Sequence, residues 1–271
     1  MPLSAALRPY DHVLLDLDGC VWVGDEATEG AVAAVAALRA AGKGVAFVTN
    51  NTRASEEEYV QKLWGMGIQA SLGDVVTVAG AVQHLLAERY QGRTVFAIGS
   101  ESLLRHVADA GVRLLNGTDL ASRADVVLVG GAERFGFDDL RVATLALQRG
   151  AEFLATSRDP TYPQPEGLWP GTGALVAALE YATGRSAAVV GKPEPQLFIT
   201  ALDRLGGGRT LVVGDRLDTD VAAAGRARLD AALVLTGGTS PEEAAAARDP
   251  EPVHVAASLH ELVLGGSSDG A

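Results

Sequence analysis

The sequence predicts an α/β protein whose parallel sheets are covered by helices on both faces. Short apolar runs alternate along the chain with stretches of helical character, the pattern of strands joined by crossover helices. Several of these runs are followed directly by polar residues, as in folds that bind ligands at the carboxyl ends of their strands. The chain shows no repeat of the length used by solenoids, so that architecture is excluded.

The first part of the chain is predicted to fold in strand–helix order. The strands are placed at 12–16 and 44–50, and the helices at 30–42, 55–67 and 75–90. An Ala-rich helix ends at Gly42, and the next helix has Ser55 as its N-cap with Glu58 at the capping-box position.

The same rhythm restarts near residue 93 and continues to the end of the chain. Strands are predicted at 93–99, 124–130, 152–157, 186–191, 209–215 and 230–237, and helices at 101–111, 137–150, 174–182, 195–206 and 219–229. Residues 158–173 are rich in Pro and Gly and are predicted to form a loop. Residues 265–271 are predicted to be a frayed tail.

Composition limits the possible functions. The chain has 271 residues, of which 48% are hydrophobic, so it can bury a sizeable core and is not a disordered protein. A net charge of -12 argues against a nucleic-acid partner, which needs a basic surface. The single cysteine, Cys20, excludes an internal disulfide framework. With no secretory signal and no apolar run long enough to cross a membrane, we expect a soluble cytoplasmic protein.

Polar residues follow four of the predicted strands. They are Asp16 and Asp18; Thr49, Asn50 and Asn51; Lys192; and Asp215, Asp218 and Asp220. Turn formation or helix capping would explain each group alone. Because all four groups occur at the same kind of position in one chain, we predict a functional site there.

Two of these carboxylates require a compensating charge. Asp16 and Asp18 end an apolar run, where neighbouring carboxylates repel each other and lose hydration. In an extended chain, residues two apart point to the same side, so a shared divalent cation would explain the pair, with Asp215 as a third carboxylate. An oxygen ligand set that keeps waters and accepts a phosphate oxygen suits Mg²⁺.

Donors for a phosphate group are predicted beside these carboxylates. Lys192 supplies an ammonium group and Thr49 supplies a hydroxyl. The backbone N–H groups near Asn50 are placed where a helix is predicted to begin, which favours phosphate oxygens. The sequence therefore predicts a site for phosphoryl chemistry.

The four groups, taken in order, resemble the motifs of the haloacid dehalogenase-like (HAD) phosphohydrolase superfamily. The matching segments are DLDGCVWVGD (16–25), VTNN (48–51), GKPEP (191–195) and GDRLDTD (214–220). Together with the loop ATSRDPTYP…GLWPGTGALVAAL, they are similar to the NagD-like subfamily of p-nitrophenyl phosphatases, phosphoglycolate phosphatases and nucleotidases. The resemblance covers nearly the whole chain.

The resemblance implies a Rossmann-like parallel-sheet HAD core with an inserted α/β cap domain. The core would comprise residues 1–82 and 184–271, and the cap residues 83–183, in agreement with the restart of the strand–helix rhythm. Such proteins are Mg²⁺-dependent phosphatases of small phosphate esters, and they often dimerise through the cap. A homodimer through the cap is therefore an expectation for this chain.

The resemblance also implies roles for single residues. Asp16 would be the nucleophile that forms an aspartyl-phosphate, and Asp18 the general acid and then the base that activates water. The remaining roles are phosphoryl binding by Thr49, Asn50 and Lys192; metal binding by Asp16, Asp215 and the backbone carbonyl of Asp18; orientation of the metal's ligands or waters by Asp220; and positioning of the first-motif loop or the substrate by Asn51.

Some positions depart from the family pattern or stay open. Cys20 stands where threonine or valine is commoner and is expected to be a packing residue. Ser157 stands where asparagine is common in related cap loops. Asp159 either faces the substrate or caps the turn before Pro160. The tryptophans Trp22, Trp64 and Trp169 are expected to pack, although Trp169 lies in the cap loop and could line the site.

Two other functions remain open at this stage. A phosphomutase or phosphotransferase would use the same aspartate with a different acceptor. A ligand-binding relic of the fold would use no chemistry at all, but every charged motif position is filled. The sequence does not identify which phosphorylated metabolite is the substrate.

Overall fold

The computed structural model of the protein describes residues 2–132, 134–164, 167–249 and 251–265. The chain divides into two compact units. The first consists of Met1–Thr49, Glu56–Val76 and Lys192–Ala271, and the second of Asn50–Ser55 and Thr77–Gly191. The sequence-based division instead places its boundaries after residues 82 and 183.

Fifteen strands and ten α-helices are assigned in the described residues. The strands are β1 His12–Asp16, β2 Trp22–Val23, β3 Glu26–Ala27, β4 Gly44–Thr49, β5 Val75–Thr77, β6 Thr94–Ile98, β7 Arg113–Leu114, β8 Val126–Val129, β9 Glu152–Ala155, β10 Thr161–Gln164, β11 Gly167–Pro170, β12 Ala188–Val189, β13 Thr210–Gly214, β14 Asp230–Val234 and β15 His254–Ala256. The helices are α1 Ala31–Ala40, α2 Glu56–Gly65, α3 Val78–Arg89, α4 Glu101–Asp109, α5 Phe137–Gln148, α6 Thr172–Thr183, α7 Gln196–Leu205, α8 Ala222–Ala227, α9 Pro241–Ala246 and α10 Leu259–Leu264.

The first unit is built on a six-stranded sheet with the strand order β15-β14-β13-β1-β4-β5. Strand β1 pairs in parallel with both β13 and β4, and the pairs β13–β14 and β14–β15 are also parallel. Strands β1 and β13 are apolar and buried along almost their whole length, as expected when helices cover both faces of a sheet. The carboxyl ends of these two central neighbours therefore lie side by side, where α/β sheets bind their ligands.

The second unit has its own five-stranded parallel sheet with the strand order β12-β9-β8-β6-β7. Helices α5 and α6 bury apolar residues in one cluster with the sheet, including Phe96, Val127, Leu147, Phe153 and Leu179. Strand β12 is the edge strand of this sheet and helix α3 packs against α4, which explains why both belong to the second unit.

The predicted fold class and the alternation of strands and helices are confirmed, with local differences. Residues 75–77, predicted as part of a helix, form strand β5 before α3 begins. The predicted loop at 158–173 contains the antiparallel hairpin β10–β11. The predicted helix at 219–229 is a π-type turn, Leu217–Val221, followed by the short α8. Apart from Gly265, the predicted tail lies outside the described residues.

None of the helices in the described part of the chain combines the length and the apolar character that crossing a membrane requires.

Candidate active site

The site begins where β1 ends. Asp16 is the last residue of that strand and is only 8% exposed. The chain then turns tightly, because the N–H groups of Val21 and Trp22 both donate to the carbonyl of Leu17. Gly19 adopts a φ of 91° in this turn, and a Cβ there would collide with the carboxylate of Asp215. Only glycine allows the first motif to approach the fourth this closely.

Two further carboxylates follow the neighbouring strand β13. Asp215 comes directly after the strand, and Asp220 lies in the π-type turn, which directs its side chain back towards the strand. The N–H of Arg216 donates to Asp220 Oδ2 at 3.2 Å, and Gly214 leaves no room for a Cβ beside that carboxylate. Asp215 is 4% exposed and Asp220 is 1% exposed. Carboxylate oxygens of Asp16, Asp215 and Asp220 all lie within 4.8 Å of one another.

Lys192 places a buried positive charge among these acids. Its ammonium group donates to Asp16 Oδ1 and, at 2.6 Å, to Asp220 Oδ1. The lysine is 3% exposed, so both ion pairs are largely shielded from water. The sequence predicts that Lys192 and Asp215 lie near Asp16 and Asp18, and the structure places both of them beside Asp16.

The electrostatics of the cluster follow from its burial. Burial raises the pKa of Asp16 well above its usual range, Lys192 opposes this effect, and Asp220 and Asp215 reinforce it. Burial, reinforced by Asp220, raises the pKa of Asp215 to about 7. Burial alone would lower the pKa of Lys192, but the carboxylates of Asp16 and Asp220 raise it above its ordinary value. Keeping these buried acids ionised therefore costs free energy, and a further cation would reduce that cost.

The donor set fits a hard divalent cation. Asp215 Oδ2 accepts a hydrogen bond from the N–H of Gly238, whereas Asp215 Oδ1 is buried and has no hydrogen-bond partner among the described residues. A buried carboxylate oxygen without a partner is unfavourable unless an ion or another ligand uses it. With three carboxylates and one ammonium, the fully ionised cluster would carry a charge of −2, which Mg²⁺ would neutralise.

Asp18 and Cys20 lie in the same turn but outside this cluster of acids. Asp18 Oδ1 accepts a hydrogen bond from Trp22 Nε1 at 3.0 Å. Cys20 is fully buried against β13, with its sulfur 3.8 Å from the carbonyl oxygen of Val213, and burial raises the pKa of its thiol well above the usual range. The expected packing role of Cys20 agrees with this position.

The second motif is divided between the two units. Thr49, 1% exposed, ends β4 in the first unit, whereas Asn50 and Asn51 belong to the second. Asn51 Oδ1 accepts a hydrogen bond from the N–H of Arg53. The expectation that a helix begins near Asn50 is wrong, because α2 begins only at Glu56 and the intervening residues are irregular.

The candidate residues of the predicted loop also lie in the second unit. The N–H of Asp159 donates to Ser157 Oγ at 3.4 Å, and its carbonyl accepts from the N–H of Gly173. Trp169 is 45% exposed and packs against Tyr162 in a T-shaped arrangement, with ring centroids 6.2 Å apart. Packing thus accounts for one part of the Trp169 surface and leaves another part accessible.

A segment that was not predicted from the sequence also supports the acids. Thr236 donates its hydroxyl hydrogen to the carbonyl of Gly19 at 2.5 Å, and Gly238 donates its N–H to Asp215. Gly237 has no space for a Cβ, which would collide with the Asp215 carboxylate. The available signal was a TGG segment after strand β14, at the same edge of the sheet as the other motifs.

Comparison with known proteins agrees with this geometry. The family model described as haloacid dehalogenase-like hydrolase matches residues 13–113, and a second HAD-hydrolase-like model matches residues 189–262. The D-glycerol 3-phosphate phosphatase of Mycobacterium tuberculosis is 39% identical over 96% of this chain and 73% of its own length. Its crystal structure with magnesium superposes with a TM-score of 0.88, covering 96% of this chain and 78% of that one.

Two further relatives extend the comparison. Human chronophin is 39% identical over 96% of this chain and 92% of its own length. The p-nitrophenyl phosphatase from Archaeoglobus fulgidus is 29% identical, with a TM-score of 0.84 and coverage of 94% of this chain and 98% of that chain. The predicted resemblance is confirmed, and the chain belongs to the haloacid dehalogenase-like hydrolase family.

Proposed function

We propose that the protein is a Mg²⁺-dependent phosphatase that hydrolyses small phosphate monoesters through an aspartyl-phosphate on Asp16. The observation that carries this proposal is the buried contact of the Lys192 ammonium with Asp16, beside the carboxylates of Asp215 and Asp220. A nucleophile, a cation for phosphoryl oxygens and an acidic metal site are thereby brought together within one unit of the chain.

Asp16, Asp215 and the backbone carbonyl of Asp18 would hold the magnesium ion, and Asp220 would orient its ligands. Asp220 supports this assignment because its two oxygens accept hydrogen bonds from Lys192 and from the N–H of Arg216. When bound, Mg²⁺ neutralises the excess negative charge and allows an anionic phosphate ester to approach.

The protein residues would divide the reaction into two steps. In the first, a carboxylate oxygen of Asp16 attacks phosphorus, the bond to the ester oxygen breaks, and Asp18 donates a proton to the departing oxygen. In the second, Asp18 takes a proton from water, whose oxygen attacks the phosphorus of the aspartyl-phosphate. The bond between phosphorus and the Asp16 oxygen breaks, inorganic phosphate leaves, and both aspartates return to their starting states.

Lys192, Thr49 and the backbone of Asn50 would bind the phosphoryl oxygens. Donors aimed at charge that develops in the transition state each contribute a factor of about 10²–10³ to the rate in comparable sites. Asn51 is proposed to position the first-motif loop or the substrate, and Asp159 to position the substrate or its own loop. The support is the place of Asn51 in the second motif and the place of Asp159 in the loop that resembles the NagD-like subfamily.

The division into a core and a cap limits the substrates. We propose that residues 1–82 and 184–271 are the catalytic core and that 83–183 are a substrate-selecting cap. A cap of this size would favour compact esters over phosphoproteins and would exclude bulk water during the reaction. Because one relative is a D-glycerol 3-phosphate phosphatase, we propose glycerol phosphate and esters of similar size as the first substrates to test.

We also propose a cytoplasmic location and a homodimer formed through the cap. The single cysteine supports the cytoplasmic location because it suits a reducing compartment. The homodimer is supported by the frequent dimerisation of related proteins through the cap. Cell fractionation and size-exclusion chromatography with light scattering test them. Recovery in the secreted fraction or a monomer at micromolar concentration would contradict them.

The phosphatase proposal is tested by turnover of p-nitrophenyl phosphate and a panel of phosphorylated metabolites, ranked by kcat/KM, with Mg²⁺ and with EDTA. The expected result is Mg²⁺-dependent phosphate release that Asp16→Asn abolishes. Asp218→Asn is the matched control, because that carboxylate is exposed and pairs with Arg216. Turnover by Asp16→Asn equal to that of the wild type would refute the proposal. Faster transfer to added alcohols than to water would indicate a phosphotransferase.

A further inference from the structure

We propose that Trp22 is a positioning residue for the acid and base of this reaction: its indole N–H holds the carboxylate of Asp18 in the orientation needed for proton transfer. This inference rests on the proposed phosphatase function. Sequence alone favours a packing role for Trp22, but its Nε1 donates to Asp18 Oδ1 at 3.0 Å. The hydrogen bond connects a core residue directly to the proposed proton carrier.

The indole that makes this hydrogen bond is held firmly. Trp22 is completely buried and stacks on Tyr59 of helix α2, with ring centroids 6.2 Å apart and an interplanar angle of 11°. The ammonium group of Lys62 lies 4.6 Å from the centroid of the same ring. Lys62 also donates to the carbonyl of Gly24 at 2.7 Å and to Asp25 at 3.1 Å, which ties the β2–β3 hairpin to the helix.

The backbone fixes the distance between the indole and the carboxylate. The N–H of Gly19 donates to the carbonyl of Trp22 at 2.7 Å, and the N–H of Trp22 donates to Leu17 at 3.1 Å. Asp18 and Trp22 also form an isolated bridge between their backbones. The two side chains therefore belong to one closed turn, and packing against α2 is transmitted to Asp18 with little freedom for adjustment.

The chemistry of the indole group adds a directional constraint. A carboxylate has a broad, roughly two-fold torsional preference about its last bond, so its orientation must be set from outside. The indole N–H is only a donor, so Asp18 Oδ1 must act as its acceptor. A proton carried by Asp18 is then placed on Oδ2, and the transfer to and from the reacting oxygens takes place at that atom.

A buried tryptophan usually finds some hydrogen-bond partner, so the bond alone would also suit a packing residue. Trp64 of the same unit shows an indole N–H with a purely structural partner: the residue is 64% exposed, and its Nε1 donates to the backbone carbonyl of Ala70 at 2.7 Å. Trp22 differs in donating to an ionisable side chain that the mechanism uses. The two readings predict different dependences of the rate on the leaving group.

The experiment compares Trp22→Phe with the wild type on a series of phosphate monoesters. Aryl esters such as p-nitrophenyl phosphate release a weakly basic oxygen that departs without a proton, whereas alkyl esters such as glycerol phosphate need one. We expect kcat/KM for the alkyl esters to fall by about 10- to 100-fold, the loss of one hydrogen bond to a charged group. For p-nitrophenyl phosphate the fall stays below about threefold, so the plot of log kcat/KM against leaving-group pKa becomes steeper.

Trp64→Phe is the matched control and should leave both classes of ester unchanged. If Trp22→Phe lowers kcat/KM equally for alkyl and aryl esters, or lowers neither, the positioning role is refuted. Failure of the wild type to turn over any ester would refute the phosphatase proposal instead, so the two failures are distinguishable.

Replacement of Trp22 by benzothienylalanine covers the case in which Trp22→Phe does not fold. This isostere keeps the shape and stacking of the indole and replaces the N–H by sulfur. The same selective loss on alkyl esters supports the proposal, and wild-type kinetics on both classes would overturn it.

Discussion

Replacing Asp215 by asparagine should change the stability and the metal affinity of the protein in opposite directions. Asp215 is 4% exposed, and only one of its oxygens has a hydrogen-bond partner among the described residues. Burial, together with the charge of Asp220, raises its pKa to about 7 from an ordinary value of 3.8. The ionised form is therefore unfavourable in the folded protein when no metal is bound.

The sign and size of the effect follow from this pKa. An acid with a raised folded-state pKa stabilises the fold below its unfolded pKa, and this contribution is lost as the pH rises through the folded value. A shift of about three units corresponds to at most about 4 kcal/mol above pH 7. The asparagine amide that replaces the carboxylate loses the charge-assisted hydrogen bond from Gly238, and this loss reduces the stability gained by about 1 to 2 kcal/mol. In EDTA at pH 8, Asp215→Asn should thus be more stable than the wild type by about 2 kcal/mol.

The assay is urea unfolding at pH 5 and pH 8, in EDTA and in saturating Mg²⁺. In EDTA the advantage of Asp215→Asn should be present at pH 8 and nearly absent at pH 5. Magnesium at about 100 times its Kd should stabilise the wild type by about 2.7 kcal/mol and the variant far less, so the order of stability reverses. Asp218→Asn serves as the control. A variant less stable than the wild type in EDTA at pH 8, or equal stabilisation of both by Mg²⁺, would refute this reasoning.

Two further predictions concern the support of the site and the far end of the sheet. Gly237→Ala should weaken Mg²⁺ affinity at least about tenfold in a calorimetric titration, because the added methyl group displaces Asp215. Gly207→Ala is the control and should keep the wild-type affinity, because its Cβ would have open space. Unchanged affinity in Gly237→Ala would contradict the role of this segment. Asp230→Asn should lower stability by about 1 kcal/mol at pH 7, since hydrogen bonds, first of all from Arg209, lower the Asp230 pKa. In urea unfolding, that difference should shrink as the pH falls towards the lowered pKa of Asp230, and kcat should stay unchanged. A difference that does not shrink as the pH falls, or a loss of kcat, would contradict this prediction.

The convergence of the acidic residues could be predicted because it depends on simple rules. Asp16 and Asp215 end neighbouring parallel strands, and an apolar run followed by a carboxylate is visible in the sequence. The contact of Lys192 with Asp220 could not be predicted in this way. It depends on the π-type turn at Leu217–Val221, which brings Asp220 back to the end of the strand. The amino-acid sequence of this segment does not distinguish such a turn from a regular helix.

Other features depend on orientation, which sequence patterns do not encode. The surrounding sequence looks the same whether a buried tryptophan only packs or also donates to a catalytic carboxylate. The hydrogen bond from Trp22 to Asp18 is therefore visible only in the structure. The hairpin β10–β11 was hidden by the Pro and Gly residues of its segment, which are typical of loops. The irregular stretch after Asn51 separates Asn50 from α2, which begins at Glu56, directly after the predicted N-cap Ser55.

The most direct test of the account is a rapid acid quench of the wild-type protein during a single turnover of a phosphate ester labelled with ³²P, followed by proteolysis and identification of the labelled peptide. An aspartyl-phosphate on Asp16 predicts an acid-stable, hydroxylamine-sensitive label on the peptide that contains Asp16, formed and lost at rates compatible with turnover, and no such label in Asp16→Asn. A label on another residue, or phosphate release with no labelled protein at any time, would contradict it.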